Sequence, residues 1–173
     1  MKIRSFFILE DKFFEDFPDP YLKGNKSENR PHYYCFKSEN GLYWVIPTST
    51  RYEKYQRIID EKNKSGKSTD FLYITKLDNE KINAFLIGDM FPVTDEYVKR
   101  EYIFNGSQLQ ITSEKIGSQI ETQAKAVLSR IRLGYKFSPT QPDVLKIEKI
   151  LLEKIAANKK SEETEGYKIE QIC

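Results

Sequence analysis

The sequence predicts an α+β fold in which a twisted antiparallel sheet comes first and the main helices follow. Up to about residue 104, short runs rich in β-branched and aromatic residues alternate with turn signals. One of these turns, Asn40-Gly41, carries the signal of a tight β-hairpin. From Ser113 onward, apolar residues recur at helical spacing instead. The 173 residues suffice for one domain with its own core. We assign that domain to residues 1–157 and expect 158–173 to be a polar C-terminal tail.

The elements before residue 105 follow from local patterns. The predicted strands and helices alternate with short turns, and a polar loop is expected at 23–29. We predict strands at 3–9, 31–36, 42–46, 71–75, 84–87, 90–93 and 102–104, and helices or helical turns at 11–17, 52–62 and 94–97. The strands at 31–36 and 42–46 flank Asn40-Gly41, so they are expected to pair as an antiparallel hairpin.

The junction after the strand at 42–46 organises the rest of the chain. Proline cannot donate a hydrogen bond to a sheet, so we expect this strand to stop at Pro47. The hydroxyls that follow can cap the helix at 52–62; they belong to Thr48, Ser49 and Thr50. A helix N-terminus beside hydroxyls and Arg51 is typical of an anion site. An ordinary strand–cap–helix junction uses the same residues, so both readings stay open here.

Two amphipathic helices are predicted in the last third of the chain. The first spans 113–135, and the second begins after Pro142 with Asp143 as its cap. The polar face of the first helix is the most basic in the chain; it carries Lys115, Lys125, Arg130, Arg132 and Lys136. This face is either a solvated surface or a surface for RNA.

Composition excludes several classes of protein. The formal net charge is only +2, so bulk charge does not indicate a nucleic-acid partner. His32 is the single histidine, which excludes a multi-histidine metal site. Cys35 and Cys173 form no CxxC pair or disulfide framework, as is usual in a reducing cytoplasm. The N-terminal apolar run is too short for a membrane span. Gly66-Lys67-Ser68 lacks the first glycine of a P-loop, so it does not indicate an ATPase.

Basic and hydroxyl side chains are expected to converge at one end of the predicted hairpin. Antiparallel pairing brings the start of the strand at 31–36 near the end of the strand at 42–46. The residues expected to meet there are Arg30, His32, Thr48, Ser49, Arg51 and Lys54. Cations, hydroxyls and one imidazole suit phosphate recognition and metal-independent RNA cleavage, in which the neighbouring 2′-hydroxyl attacks the phosphorus.

These motifs resemble those of the type III toxin–antitoxin toxins, the ToxN/AbiQ/CptN family, and most closely its CptN branch. The matching residues are Arg30-Pro31, then Pro47-Thr48-Ser49-x-Arg51, followed in order by the long late helix. The resemblance spans the chain to about Ala157. It implies a compact α+β fold related to the MazF/Kid toxins.

The resemblance also implies an activity and partners. Members of this family are metal-independent endoribonucleases that leave 2′,3′-cyclic phosphate and 5′-hydroxyl ends, and they need no cofactor. The implied partner is a small repetitive antitoxin RNA, which the toxin cuts into pseudoknot units that then inhibit it in a closed protein–RNA assembly. The implied targets are cellular or phage RNAs in the bacterial cytoplasm, in abortive infection. Neither DNA nor a membrane is expected as a partner.

The chain departs from the ToxN branch, which has lysines where this sequence has Arg30 and Arg51. Arginine stays protonated, so it can hold phosphate but cannot act as a base. We therefore expect His32 to carry proton transfer on the face it shares with Arg30, with Lys54 and then Tyr52 as the other candidates. The alternative is a histidine packed in the strand beside Tyr33. The expected catalytic residues are His32, Ser49, Thr48 and Arg51. The expected RNA-binding residues are Arg30, Lys54, Tyr52, Lys125, Arg130 and Arg132.

Two other functions fit the same residues. A non-catalytic RNA-binding module would use the same basic groove but would leave RNA intact. A structural or protein-interaction domain would not co-purify with RNA, and its interactions would not share the steep salt dependence of RNA binding.

Overall fold

The computed structural model of the protein describes residues 1–22, 24, 25 and 30–170, with side chains described as far as residue 158. Its strands are β1 (Phe6–Leu9), β2 (His32–Lys37), β3 (Tyr43–Ser49), β4 (Tyr73–Lys76), β5 (Ile82–Phe85), β6 (Phe91–Val93), β7 (Val98–Glu101), β8 (Ile103–Phe104) and β9 (Ser107–Gln108). Its α-helices are α1 (Asp11–Asp16), α2 (Tyr52–Lys64), α3 (Glu114–Arg132) and α4 (Val144–Glu170), and short 3₁₀ turns lie at Ile87–Asp89 and Asp95–Tyr97.

An antiparallel sheet of seven strands forms the centre of the fold. The strand order is β4-β5-β3-β2-β1-β7, and β6 pairs with β3 beside this path. β8 and β9 form a separate two-stranded ribbon. The predicted α+β class, with an antiparallel sheet before the long helices, is confirmed.

The predicted hairpin of β2 and β3 is confirmed. His32 lies opposite Pro47 and Lys37 lies opposite Tyr43 in an antiparallel register. Gly41 has a φ of +90° in the connecting turn, a backbone conformation that residues with a Cβ rarely adopt. This glycine therefore fixes the end of the hairpin that lies opposite the predicted site.

The prediction that β3 stops at Pro47 is wrong. β3 continues to Ser49 because it changes partners at the proline: Tyr43–Pro47 pairs with β2, and Thr48 and Ser49 pair with β5. Pro47 keeps its carbonyl, which accepts a hydrogen bond from the Leu86 N–H at 3.0 Å. The N–H that proline lacks would lie where β3 passes from β2 to β5, so its absence does not end the strand.

The two long helices cover the sheet with their apolar sides. α3 packs on β2 and on the 3₁₀ turn Ile87–Asp89, and α4 packs on β6. The side chains at the start of both helices form capping hydrogen bonds. Before α3, Ser113 Oγ accepts from the Ile116 N–H at 3.4 Å, and before α4, Asp143 Oδ1 accepts from the Lys146 N–H at 3.2 Å. The buried apolar residues of these helices are Ile120, Ala124, Val127, Leu128, Ile131, Val144, Ile147 and Leu151.

The segment assigned to a C-terminal tail continues the last helix. α4 runs without a break to Glu170, so the predicted boundary at residues 157 and 158 falls inside it, while residues 171–173 lie outside the described part of the chain. A division into domain and tail stays a prediction. Residues 23 and 26–29 of the predicted polar loop also lie outside the described residues. Among the described helices, none combines the length and the apolar character that a membrane crossing requires.

Gly66 ends a helix. It follows α2 with a φ of +65°, and the Lys67 N–H donates to the Lys62 carbonyl at 2.9 Å. A left-handed glycine with such a bond is a common C-terminal helix motif. A P-loop instead opens a helix, so Gly66-Lys67-Ser68 has the wrong position in the fold for nucleotide binding.

Candidate functional site

A polar cavity of about 250 Å³ lies where β3 changes partners. It brings together four residues that the sequence predicted: Arg30, Thr48, Ser49 and Arg51. We call it the phosphate cavity. The rest of its lining consists of Phe6, Pro31, Thr50, Leu77, Asn79, Lys81, Asn83, Tyr102 and Leu109.

Ser49 organises the corner between β3 and α2. Its Oγ accepts a hydrogen bond from the Arg51 N–H at 3.2 Å, two residues further on. Arg51 itself occupies the cap position of α2 without a side-chain cap, so the prediction that a hydroxyl caps this helix is wrong. Because β3 extends two residues beyond Pro47, the Ser49 hydroxyl lies before the cap position and accepts from the N–H of the cap residue, Arg51. This bond leaves the hydroxyl hydrogen of Ser49 to donate into the cavity.

Arg30 lies half-buried at the base of the cavity, just before β2. Its Nη1 donates to the Gly24 carbonyl at 3.4 Å. Burial lowers the pKa of Arg30 from its usual value, and Tyr55 and Asp89 act in the opposite direction. Because arginine keeps its proton at any working pH, the guanidinium stays charged and suits a phosphate oxygen.

The turn between β4 and β5 supplies residues that sequence reasoning missed. Asn79 and Lys81 line the cavity from this turn, and Asn83 lines it from β5. Asn79 Oδ1 accepts from the Lys81 N–H at 3.1 Å, and the Leu77 N–H donates to the Lys81 carbonyl at 2.9 Å, which fixes the turn. Lys81 Nζ lies 5.2 Å from the centre of the Phe104 ring. The turn itself was recognisable in the sequence, but its place beside β3 depends on the strand order.

His32 does not lie in the cavity, so the prediction that it shares an exposed face with Arg30 is wrong. The imidazole is fully buried, with ring centres 5.4 Å from Phe91 and 6.1 Å from Phe14. Neither ring nitrogen has a hydrogen-bond partner among the described residues. Burial lowers the pKa of His32 to about 3, and the positive charge of Arg30 acts in the same direction. The backbone of Arg30 raises this pKa, but more weakly. This geometry favours a packed, neutral histidine over a proton carrier.

Burial of His32 predicts an acid-sensitive contribution to stability. Above pH 6.5 the imidazole is neutral in both folded and unfolded chains, so it contributes no pH dependence there. As pH falls from about 6.5 toward 3, only the unfolded chain takes up the proton, and stability drops by up to about 1.4 kcal/mol per pH unit. We expect urea unfolding of His32→Leu to lack this component over that pH range.

The single histidine makes a second readout unambiguous. The Cε1–Hε1 resonance of His32 should not titrate between pH 8 and pH 4.5 in the folded protein. A resonance that titrates near pH 6.5, or a His32→Leu variant with the same pH dependence as the original chain, would contradict the buried neutral state.

The structure separates Lys54 and Tyr52 from the phosphate cavity. Lys54 instead lines a second cavity beside α2, with its Nζ 5.6 Å from the centre of the Tyr55 ring. Tyr52 is partly buried and packs against the edge of the core. RNA-binding roles for these two residues stay predictions.

Three of the four basic residues of α3 form ion pairs with acidic neighbours. Lys125 Nζ lies 2.7 Å from Glu121, and Arg130 Nη1 lies 3.4 Å from Asp70. Arg132 Nη2 donates to Glu148 Oε1 at 2.7 Å, which links α3 to α4. RNA binding by Lys125, Arg130 and Arg132 stays a prediction, and these ion pairs favour the alternative of a structural, solvated face.

Arg132 gives the sharpest test of that alternative. Glu148 is almost buried, so Arg132→Met removes the partner of a poorly solvated carboxylate. We expect a loss of about 1–3 kcal/mol in the free energy of unfolding by urea, with RNA affinity by fluorescence anisotropy unchanged. Lys125→Met is the matched control, because its pair with Glu121 is exposed and is expected to contribute less than about 1 kcal/mol. Weaker RNA binding by a stable Arg132→Met would instead support the RNA-facing interpretation.

The protein groups available for metal binding are few. Among the described residues, no three His, Cys, Asp or Glu side chains lie together as a metal site would require. The lining of the phosphate cavity, as far as it is described, contains neither an imidazole nor a carboxylate. Cys35 is buried as a free thiol in the core, and Cys173 lies outside the described residues. The chemistry of the cavity is therefore that of cations, hydroxyls, amides and one phenol.

Fold and site together define an α+β protein whose cationic, hydroxyl-lined cavity lies where β3 of the antiparallel sheet changes partners. A solved structure has the same fold: AbiQ, a lactococcal anti-phage endoribonuclease of the type III toxin–antitoxin system. The two chains superpose with a TM-score of 0.63 over 92% of this chain and 99% of AbiQ, at 15% sequence identity. The predicted resemblance is thereby confirmed for the fold. No protein-family model and no curated protein sequence matches the chain. The relation to the MazF/Kid toxins stays a prediction.

Proposed function

We propose that this protein is an endoribonuclease toxin of a type III toxin–antitoxin system. The observation that carries the proposal is the meeting of Arg30, Thr48, Ser49, Arg51 and Lys81 in one cavity. The fold shared with an anti-phage endoribonuclease supports it. Two guanidinium groups and an ammonium beside hydroxyl donors suit an RNA phosphate whose charge grows during attack.

The proposed reaction requires no external reactant besides the RNA and water. The 2′-hydroxyl loses its proton, its oxygen bonds to the adjacent phosphorus, and the bond from phosphorus to the 5′-oxygen breaks. Arg30 and Arg51 hold the non-bridging oxygens, and the Ser49 hydroxyl donates to the same phosphate as its charge develops. Thr48 is nearly buried beside Ser49 and positions this edge of the strand. The products are 2′,3′-cyclic phosphate and 5′-hydroxyl ends.

Proton transfer falls to groups other than His32. We assign Lys81 as the acid that protonates the leaving 5′-oxygen, because it lines the cavity and its ammonium group is a proton donor. Water takes the 2′-proton, since the described lining offers neither carboxylate nor imidazole. Tyr102 lines the same cavity and can orient the leaving group by hydrogen bonding.

The partners proposed are RNAs. A small antitoxin RNA, processed into pseudoknot units by the toxin, would occupy the cavity in a closed protein–RNA assembly. Cellular or phage RNAs would be the targets in the bacterial cytoplasm. Both follow from the resemblance of the motifs and from the fold shared with AbiQ.

The chemistry of RNA ends tests the proposal. Purified protein is incubated with total RNA in EDTA, and the fragments are mapped with ligases selective for 2′,3′-cyclic phosphate and for 5′-hydroxyl ends. Both end types should appear, and EDTA should not slow the reaction. RNA that binds but stays intact would replace the proposal with a non-catalytic RNA-binding module, and absence of binding would remove the RNA function altogether.

Arg30 is expected to contribute to binding through a phosphate. Arg30→Met should weaken RNA binding at all sequences and reduce the magnitude of the slope of log K against log salt concentration by about 0.7 for a single strand. Arg57→Met is the matched control, because Arg57 is exposed on α2 and lines neither cavity described above. Equal slopes for both variants would remove Arg30 from the phosphate contact.

A further inference from the structure

A second cavity, of about 170 Å³, lies beside α2 and shares no lining residue with the phosphate cavity. α2 forms one wall, the 3₁₀ turn Ile87–Asp89 forms the floor, and the segment after α3 forms the other wall. Its lining is mainly aromatic and aliphatic inside, with polar groups at the rim; the residues are Lys54, Tyr55, Ile58, Phe71, Leu72, Leu86, Gly88, Asp89, Phe137, Ser138 and Thr140. We call it the aromatic cavity.

Aromatic side chains make up much of the lining of the aromatic cavity. Phe71 and Phe137 face each other with ring centres 5.7 Å apart and planes tilted by 31°. At the floor, a Cβ on Gly88 would lie 3.2 Å from Phe71 Cβ and 3.5 Å from Phe137 Cβ, so glycine lets the backbone approach both rings. Half-buried Tyr55 adds a third aromatic face from α2.

Two lysines lie near the aromatic rings, and one of them, Lys54, lines the cavity itself. Lys62 Nζ lies 5.0 Å from the centre of the Phe71 ring, and Lys54 Nζ lies 5.6 Å from that of Tyr55. Asp89, Ser138 and Thr140 add acceptors and hydroxyls at the rim. Aromatic faces beside lysines are the combination by which proteins hold single-stranded nucleic acid.

The two cavities are neighbours. Arg51, just before α2, lines the phosphate cavity, and Lys54, in the first turn of α2, lines the aromatic cavity. Arg30 lines the phosphate cavity and interacts electrostatically with Tyr55 and Asp89 of the aromatic cavity. A ligand with an anionic group at Arg30 and a planar ring nearby can therefore engage both.

We propose that the aromatic cavity binds one unpaired nucleobase of the RNA strand whose phosphate lies at Arg30. The base stacks on Phe137 and Tyr55, and its edge faces the rim. This inference rests on the proposed function for the identity of the ligand as RNA. An apolar side chain of a protein partner suits the interior alone, but it leaves the lysines and the adjoining phosphate cavity without a role.

Nuclear magnetic resonance of the ¹³C-labelled aromatic side chains tests the cavity without relying on cleavage. The probes are the dinucleotides ApA, CpC, GpG and UpU, each with a 2′-deoxy first sugar so that it cannot be cut, and inorganic phosphate. We expect at least one dinucleotide to shift the Phe71, Phe137 and Tyr55 signals, and phosphate alone to leave them in place. Absence of aromatic shifts with all four dinucleotides would overturn the proposal, as would equal shifts with phosphate.

Variants locate the base. Phe137→Leu keeps an apolar side chain but loses the ring, so dinucleotide affinity should fall by about 5- to 100-fold, with phosphate affinity unchanged. Tyr55→Leu provides the same test from the opposite wall if Phe137→Leu folds poorly. Tyr21→Leu is the control, because Tyr21 is an exposed aromatic residue outside the cavity. Unchanged dinucleotide affinity in folded Phe137→Leu and Tyr55→Leu would overturn the proposal.

The outcomes separate this inference from the proposed function. Dinucleotide binding in the aromatic cavity of a protein that does not cut RNA would retain the base site and remove the nuclease. Cleavage of RNA by a protein whose aromatic signals ignore every dinucleotide would retain the nuclease and remove the base site.

Discussion

Ser49→Ala is expected to lower the single-turnover rate of RNA cleavage by about 10²- to 10³-fold, the loss typical for one donor to a developing anion. Its hydroxyl donates into the phosphate cavity while its oxygen accepts from the Arg51 N–H. The substitution therefore removes a donor and loosens the neighbouring arginine. RNA affinity should fall much less than the rate, because most binding comes from the cations.

Ser65→Ala is the matched control for Ser49→Ala. Ser65 lies at the other end of α2, where its hydroxyl bonds the carbonyls of Glu61 and Lys62 outside the phosphate cavity. Both variants should keep the circular dichroism spectrum and a stability within about 1 kcal/mol of the original chain. Loss of cleavage in Ser65→Ala, or an unfolded Ser49→Ala, would contradict the assignment of Ser49.

Lys81→Met is expected to slow cleavage by about 10²- to 10⁴-fold, the usual contribution of a general acid. The methionine keeps most of the length of the side chain and removes the ammonium group that protonates the leaving 5′-oxygen. Single-turnover rates of RNA cleavage measure the effect.

Lys76→Met controls for the loss of one positive charge on the same hairpin. Lys76 is exposed on β4, forms an ion pair with Glu80 and does not line the phosphate cavity. Its variant should cleave at nearly the original rate. A folded Lys81→Met that cleaves at the original rate would transfer the acid role to Tyr102 or to water.

Elements with strong local signals were predictable from the sequence. The turn at Gly41 fixed the hairpin of β2 and β3, and helical spacing after Ser113 identified α3 and α4. The hairpin in turn brought Arg30 close to Ser49 and Arg51, so the core of the phosphate cavity was predictable from turn chemistry alone. In each case the information lies in neighbouring residues, where turn chemistry and periodicity act.

His32 shows where alternation along a strand stops being informative. Alternation distinguishes two faces only if one of them meets solvent, but residues 32–36 of β2 are all buried because the strand lies within the sheet and both of its faces are covered. Arg30 also precedes the strand, so it need not share a face with His32. A buried histidine and an exposed one have the same sequence signature.

Contacts between distant segments were beyond the sequence. Lys81 reaches the phosphate cavity only because β5 pairs with the last two residues of β3, and no local pattern indicates that pairing. Strand β7, at the edge of the sheet, was missed because its charged residues resemble a loop. Of the strand predicted at 102–104, residues 103 and 104 belong instead to the separate ribbon of β8 and β9. Strand order is decided by the packing of the whole sheet.

The lining of the phosphate cavity is drawn from residues scattered between Phe6 and Leu109. A growing polypeptide therefore cannot complete this site until Tyr102 and Leu109 have left the ribosome and joined the sheet. At about 5–20 residues per second, translation to that point takes roughly 5–20 s. If the cavity is the cleavage site, the nascent chain cannot cut its own messenger RNA during this interval.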